Sequence, residues 1–172
     1  MNPSPKIKVL ICGILPPPYY GHSMLYKMLM ASSFPNAFEV KFLNMKFWTY
    51  GTHKKVTLEK LLKMVQYYFV FIVTLVFWRP KYFLYNSSFY PMPYLKDLLF
   101  CSTGILLGCK LVVHDHGQYV KELDESLEGA KKSALRWMLK NMAASIIMGE
   151  KVRQDYAGLT DPAKLIVVPG SV

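Results

Sequence analysis

The length, composition and charge of this chain restrict the classes of protein to which it can belong. Its 172 residues are 52% hydrophobic and 15% aromatic, which excludes a disordered chain and suits a single domain with a sizeable core. The net charge of +10 is uneven: residues 1–109 carry twelve Lys or Arg against three acidic residues, and residues 110–172 carry nine against eight. Basic residues interleaved with aromatic ones suit an anionic membrane or nucleic acid, and the lack of a nucleic-acid motif favours the membrane.

The opening of the chain predicts a buried strand followed by a helix. We expect a parallel strand over residues 6–15, which the three prolines at 16–18 must end. Ser23 can then cap a helix over residues 24–32. A strand, a glycine-containing loop and a helix N-terminus in this order can form an anion-binding site, although such a sequence more commonly forms a plain strand-to-helix turn. The apolar face of the helix is formed by Leu25, Met28 and Leu29.

Cysteine use and the first apolar run indicate a reducing compartment. Cys12, Cys101 and Cys109 form no C-x-x-C pair, which is typical of inert core thiols. The run at residues 6–15 is too short for a signal peptide and lacks a small-residue cleavage site. We therefore expect a cytoplasmic protein, with peripheral attachment to the inner face of the membrane as the alternative.

A long helical pattern follows the second predicted strand, at residues 38–43. Its second half, residues 67–78, lacks any charge, yet it is shorter than the roughly 20 residues that a bilayer span needs. We expect this helix to pack against the sheet; the alternatives are contact with a membrane surface and a true span. The apolar residues at helical spacing are Leu58, Leu61, Leu62, Val65, Phe69, Ile72 and Val76. On a membrane surface, the headgroups would meet Lys54, Lys55, Lys60 and Lys63.

The remaining pattern alternates strands with helices. The alternation predicts an α/β fold with a doubly wound parallel (Rossmann-like) sheet, helices on both faces and right-handed crossovers. Gly108 suits a helix C-cap, and the acidic run at residues 122–128 is a solvated face or a helix start. Strands are expected at 81–86, 110–113, 145–148 and 164–168, and helices at 94–107, 130–144 and 151–157. The inward face of the helix at 130–144 consists of Leu135, Met138, Leu139 and Met142.

The segment from His114 to Gly117 is the most informative polar stretch. It follows a β-branched apolar run directly, and the carboxyl ends of parallel strands are where open sheets bind ligands. Two of the four histidines lie here beside a glycine that permits close approach of a ligand. Asn86, Ser87 and Ser88 would share this edge. The alternative is a pair of loop histidines with no chemical role.

Three segments in order resemble the N-terminal half of the family-four-like glycosyltransferases with the GT-B fold. The opening K-I-K-V-L-I-C-G-I-L-P-P-P-Y-Y-G-H-S resembles the family's first strand, proline-bearing loop and glycine. V-V-H-D-H-G resembles its strand ending in His-Gly. A-A-S-I-I-M-G-E-K-V-R-Q-D-Y, and later K-L-I-V-V-P-G-S-V, resemble the part that leads to its interdomain linker.

The resemblance implies roles for five residues. His116 would lie beside the transferred sugar as the catalytic residue. In the family, first-loop glycines let backbone amides meet the donor pyrophosphate; this chain has Tyr20 where the family usually has a second glycine. Gly149 replaces the serine of the family's serine–glutamate pair. The implied donor-binding residues are Gly21, His22, Gly117 and Glu150.

The implied function is the acceptor-binding half of a retaining glycosyltransferase. It would move a hexose from a nucleotide sugar to a lipid-linked or cell-surface polysaccharide acceptor. Residues 1–172 are expected to form a single acceptor-side domain, with the donor site on an absent C-terminal domain or a partner chain, so that the isolated chain is nearly inactive. No D-x-D pair occurs among the aspartates, so we expect no dedicated metal ion. The lack of a nucleic-acid motif predicts no nucleic-acid partner, and the resemblance implies no cofactor beyond the nucleotide-sugar co-substrate. The alternative is a non-enzymatic Rossmann-like binding module or the membrane-docking subunit of a two-chain transferase.

Overall fold

The computed structural model describes residues 5–19, 21–46, 57–87, 89, 94–115 and 119–168. Six strands form one parallel sheet in the order β2-β1-β3-β4-β5-β6. The strands are β1 Lys8–Gly13, β2 Glu39–Asn44, β3 Tyr82–Ser87, β4 Lys110–Asp115, β5 Ala144–Ile147 and β6 Leu165–Val167. The predicted α/β class and the parallel, Rossmann-like sheet are therefore confirmed.

The helices that flank this sheet occupy the connections between its strands. A π-helical turn, Thr74–Trp78, extends the third helix, and two short 3-10 turns, Gln154–Tyr156 and Pro162–Lys164, precede β6. The α-helices are α1 Gly21–Ala31, α2 Phe34–Ala37, α3 Leu58–Val73, α4 Tyr94–Leu106, α5 Val120–Ser126, α6 Gly129–Asn141 and α7 Glu150–Arg153.

The chain divides into two compact units, residues 1–81 and 82–172. In the first unit, β1 and β2 pair in parallel, with Gly13 opposite Asn44 at their carboxyl ends. β1 is buried from its second residue onward, as its continuous apolar run predicts. The buried ring of Tyr26 packs over the end of β1, so closely that an added Cβ on Gly13 would lie 2.8 Å from the ring. The small residue is needed there for packing.

In the second unit, β3, β4, β5 and β6 pair in parallel, each with the next along the chain. α4 approaches β3 so closely that an added Cβ on Gly104 would lie 2.7 Å from the ring of Phe83, which is fully buried. Gly108 has a φ of +83°, which confirms the predicted C-cap. α6 also confirms the prediction of its inward face, because all four residues are buried: Leu135, Met138, Leu139 and Met142.

The prediction for α1 is wrong in its start and in its buried face. The helix begins at Gly21, so Ser23 lies inside it rather than at its N-cap. Ser23 is buried and donates its hydroxyl hydrogen to the carbonyl oxygen of Pro18 over 2.7 Å. Tyr26 faces the core, whereas Met28 is 66% exposed. The tyrosine supplies more buried area than the methionine and also covers the end of β1, so it takes the inward position.

The helix predicted after β2 is present as α3, and the structure shows which of its apolar sides is exposed. The apolar residues at helical spacing are largely exposed: Leu58 is 72% exposed and Phe69 is 67% exposed. Phe71 and Leu75, on the other side of the helix, are the residues that are buried. Periodicity identifies which side chains share a helix face, but both faces of this helix are apolar, and the face with Phe71 and Leu75 lies inward.

Replacing Gly104 with alanine should destabilise the chain by about 1–3 kcal/mol, because the new methyl group overlaps the fully buried ring of Phe83. Gly21→Ala is the control, since an added Cβ there meets no atom within 4 Å. Urea denaturation of both variants measures the difference. Equal free energies of unfolding for the two variants would contradict the close contact between α4 and β3.

Candidate functional site

The carboxyl ends of β3 and β4 bring polar residues to one edge of the sheet. In the parallel register, Asn86 lies opposite His114 and Ser87 lies opposite Asp115. Ser87, His114 and Asp115 are all buried. Buried polar groups must be hydrogen-bonded to be stable, so their partners define how this edge is built.

The first group of partners, which we call the Asp97 cluster, ties α4 to β3. The Asp97 carboxylate accepts hydrogen bonds from the Tyr85 hydroxyl at 2.8 Å and from the Ser87 hydroxyl at 2.9 Å. The ammonium of Lys96 lies 2.5 Å from the same carboxylate and donates to the Tyr85 oxygen over 2.7 Å. A buried carboxylate is tolerated when several donors and an opposite charge surround it, and Asp97 has both. The first turn of α4 is therefore fixed to the end of β3.

The second group, which we call the Asp115 cluster, joins β4 to the segment after β5. The Tyr156 hydroxyl donates a hydrogen bond to the Asp115 carboxylate over 2.8 Å and lies 3.3 Å from the Ser145 hydroxyl. Asp115, Ser145 and Tyr156 are each at most 1% exposed. Burial, and then the negative charge of Asp115, raise the pKa of Tyr156 well above its usual value. The phenol therefore stays protonated and remains a donor.

A bidentate ion pair joins α5 to α6, shortly after β4. Arg136 of α6 donates two hydrogen bonds, each of 2.8 Å, to the Asp124 carboxylate of α5, and Lys132 lies 3.6 Å from the same group. The Arg136 guanidinium keeps the pKa of Asp124 below its usual value. Residues 116–118, which lie outside the described residues, thus connect two anchored points, Asp115 and α5.

The side chain of Asn86 has an unsatisfied acceptor at this edge, among the residues that the structure describes. Its Oδ1 atom is buried and accepts no hydrogen bond within the part of the chain that the structure describes. An unsatisfied buried acceptor costs roughly 1–3 kcal/mol, so a donor from beyond the described residues would be favoured here.

The residues predicted for the site are distributed over both units. Gly21 and His22 form the first turn of α1 in the first unit; Gly21 is exposed and His22 is half-buried. Burial lowers the pKa of His22 below 6.5, so the imidazole is neutral at pH 7. Glu150 begins α7 in the second unit, where its exposed carboxylate accepts a hydrogen bond from Arg153 over 2.9 Å. His116 and Gly117 lie outside the described residues.

The sequence interpretation missed three residues on which the edge depends. Asp97 has a weak signal, because it is an acidic residue inside the otherwise apolar start of a helix that follows a strand. Lys96 precedes it and gives no further signal. Tyr156 has no local signal at all, since it reaches Asp115 across 41 positions of sequence. Among the described residues, no group of three or more His, Cys, Asp or Glu could hold a metal ion.

Tyr156→Phe should lower the free energy of unfolding by roughly 1.5–3 kcal/mol, because it removes a hydrogen bond to a buried charged group. Tyr19→Phe is the control, since Tyr19 is 71% exposed and should tolerate the change. Chemical denaturation compares the two variants. A cost for Tyr156→Phe no larger than that for Tyr19→Phe would show that Asp115 does not depend on this donor.

Acidification should weaken the fold through His22. Its pKa is lowered in the folded state, so the unfolded chain binds the proton first as the pH falls through 6.5. The free energy of unfolding therefore decreases below that pH, and His22→Gln should remove part of the decrease. Denaturation at several pH values measures it, with His53→Gln as the control, because the sequence predicts that His53 is a solvated residue of a polar loop. A wild-type imidazole that titrates at or above 6.5 by NMR would contradict the expected direction.

Comparison with known proteins gives no function for this chain, so the function is argued from the residues described above. No model of a known protein family matches the chain, and no curated protein matches it either. The family resemblance of the three sequence segments therefore remains an interpretation of those segments.

Proposed function

We propose that this chain is the acceptor-binding half of a retaining glycosyltransferase of the GT-B type. It would act on a nucleotide sugar at the cytoplasmic side of a membrane and transfer a hexose to a lipid-linked or polysaccharide acceptor. In the family that the three segments resemble, most of the donor site belongs to a second α/β domain. The Rossmann-like parallel sheet supports the proposal, because such a sheet is the framework of each half of that fold.

The observation that carries the proposal is the way in which β4 ends. Its last residue, Asp115, is buried and hydrogen-bonded to Tyr156, and the next residue in the chain is His116. Catalytic groups must be held in a fixed geometry to stabilise a transition state. An anchor immediately before the proposed catalytic histidine is what such a role requires.

The chemistry suits an imidazole and backbone amides. Sugar transfer develops positive charge on the anomeric carbon and negative charge on the leaving phosphate. A neutral imidazole at His116 would hydrogen-bond to the transferred sugar, and preorganised dipoles would stabilise the separating charges. Neither role needs a metal ion from this chain.

The N-terminus of α1 supports a role in binding the donor phosphates. The helix has 11 residues, and its first backbone amides carry the positive end of the helix dipole. Open space surrounds Gly21, so its packing within the chain does not require a glycine. A phosphate approaching the backbone would explain the residue. His22, Gly117 and Glu150 would complete the donor contacts that this half supplies.

A non-enzymatic binding module is the second candidate, and one observation favours it. The Asp97 and Asp115 carboxylates are both engaged by donors from the chain itself, so neither is ready to act as a general base. A module of this kind would bind its ligand at the same sheet edge and would catalyse no transfer. Activity of the completed enzyme separates the two candidates.

His116→Ala in the complete enzyme should lower kcat by roughly 10²–10³-fold, because it removes a group that stabilises the transition state. The assay measures transfer of radiolabelled hexose from a panel of nucleotide sugars to a lipid extract. His53→Ala provides the matched control and should leave the rate unchanged. Equal rates for wild type and His116→Ala would return this histidine to a structural role, and turnover by the isolated 172-residue chain would contradict the proposal that it is one half of a site.

A further inference from the structure

The longest helix of the chain exposes an apolar surface. α3 and its π-helical turn run without interruption over Leu58–Trp78. By length and composition alone this helix could cross a membrane, and only 17% of its most apolar 18-residue stretch is buried within the protein. An ordinary surface helix turns its apolar face toward the core. This helix buries one apolar side and exposes a second. We call the exposed face the apolar stripe: Leu58, Leu61, Leu62, Val65, Phe69, Val73 and Val76.

The stripe is one continuous side of the helix. At about 100° per residue, its members fall within a sector roughly 120° wide. Phe71 and Leu75 lie on the other side and are buried, which fixes the stripe outward. Beyond the stripe, Phe77 is 81% exposed. Contiguous apolar surfaces of this kind mark sites of contact with another molecule or a membrane.

The unit that carries this apolar surface is strongly basic. The first unit contains eleven Lys or Arg and two acidic residues, which gives a net charge of +9. Both acidic side chains are engaged: Glu59 with Lys63 at 2.6 Å, and Glu39 with the indole N–H of Trp78 at 2.9 Å. The unit therefore offers many cations with little negative charge to offset them.

The C-terminal end of the helix is tied to the first unit. The Lys8 ammonium donates to the Trp78 carbonyl over 3.3 Å, and the Lys41 ammonium lies 4.7 Å from the centre of the Trp78 ring. Lys8 and Lys41 belong to β1 and β2, so the helix end is attached to both strands. Together with the burial of Phe71 and Leu75, this attachment keeps one side of the helix on the protein. The stripe is presented outward while the opposite side is held, which suits a helix lying along a membrane surface rather than one crossing it.

We propose that the apolar stripe is the surface by which this chain lies on an anionic lipid bilayer. The stripe enters the boundary between headgroups and acyl chains, and the lysines of the first unit meet anionic headgroups. A second copy of the chain is the less suitable occupant, because two units of net charge +9 would repel one another face to face. The proposal stands on the helix and its charges, and it holds whether or not the chain transfers a sugar.

Vesicle flotation with the full chain tests the proposal. The wild type should float with vesicles of phosphatidylcholine and phosphatidylglycerol, and it should float far less with phosphatidylcholine alone or at high salt. The double variant Leu62→Glu, Phe69→Glu should weaken partitioning at least roughly tenfold, because two charges then oppose insertion of the stripe. Both side chains are more than 60% exposed, so the fold should survive, and circular dichroism checks this.

Met28→Glu is the matched control, because Met28 is 66% exposed on α1 while Phe69 is 67% exposed on α3. The control should keep nearly all of the binding. Equal recovery with neutral and anionic vesicles, or an equal loss in the control, would overturn the proposal. Resistance to carbonate extraction would overturn it in favour of a spanning helix. Dimerisation abolished by the double variant, with no lipid binding by the wild type, would assign the stripe to a second copy.

Discussion

The structure depends on how one buried carboxylate at the end of β4 is satisfied. Asp115 lies where a parallel strand leaves the core, and an unpaired charge there would be too costly to keep. The Tyr156 hydroxyl provides the partner, and burial keeps that hydroxyl protonated. Because Tyr156 comes from beyond β5, the hydrogen bond also joins distant parts of the second unit. The edge that precedes His116 is therefore set by a long-range contact rather than by the local sequence.

The two units contain the same kinds of element, parallel strands and helices, but differ in their charge and in the surfaces that they expose. The second unit buries three of its acids, Asp97, Asp115 and Asp124, and surrounds them with donors. The first unit has almost no acids and leaves a large apolar helix face in contact with solvent. One unit is thus suited to polar chemistry at a sheet edge, and the other to contact with an extended anionic surface.

Sequence reasoning located the strands well and the helix faces unevenly. The strand positions were predicted to within about two residues, because β-branched runs bounded by polar residues are a local signal. The inward face of α6 was also correct, since its other face is polar. The predicted face of α1 was wrong, and the buried side of α3 could not be predicted, because both helices carry large apolar side chains on more than one face and spacing alone could not choose the buried one. The bond between Asp115 and Tyr156 could not be predicted, because no local pattern encodes a contact between side chains 41 positions apart.

The Asp97 cluster has a consequence for how this scaffold can diversify. Tyr85 and Ser87 hold the first turn of α4 directly, so the bonds that fix the helix start come from β3 itself. Strand and helix therefore keep each other in register through their own side chains. This part of the sheet edge is thus a rigid framework on which neighbouring residues can differ without moving β3 against α4.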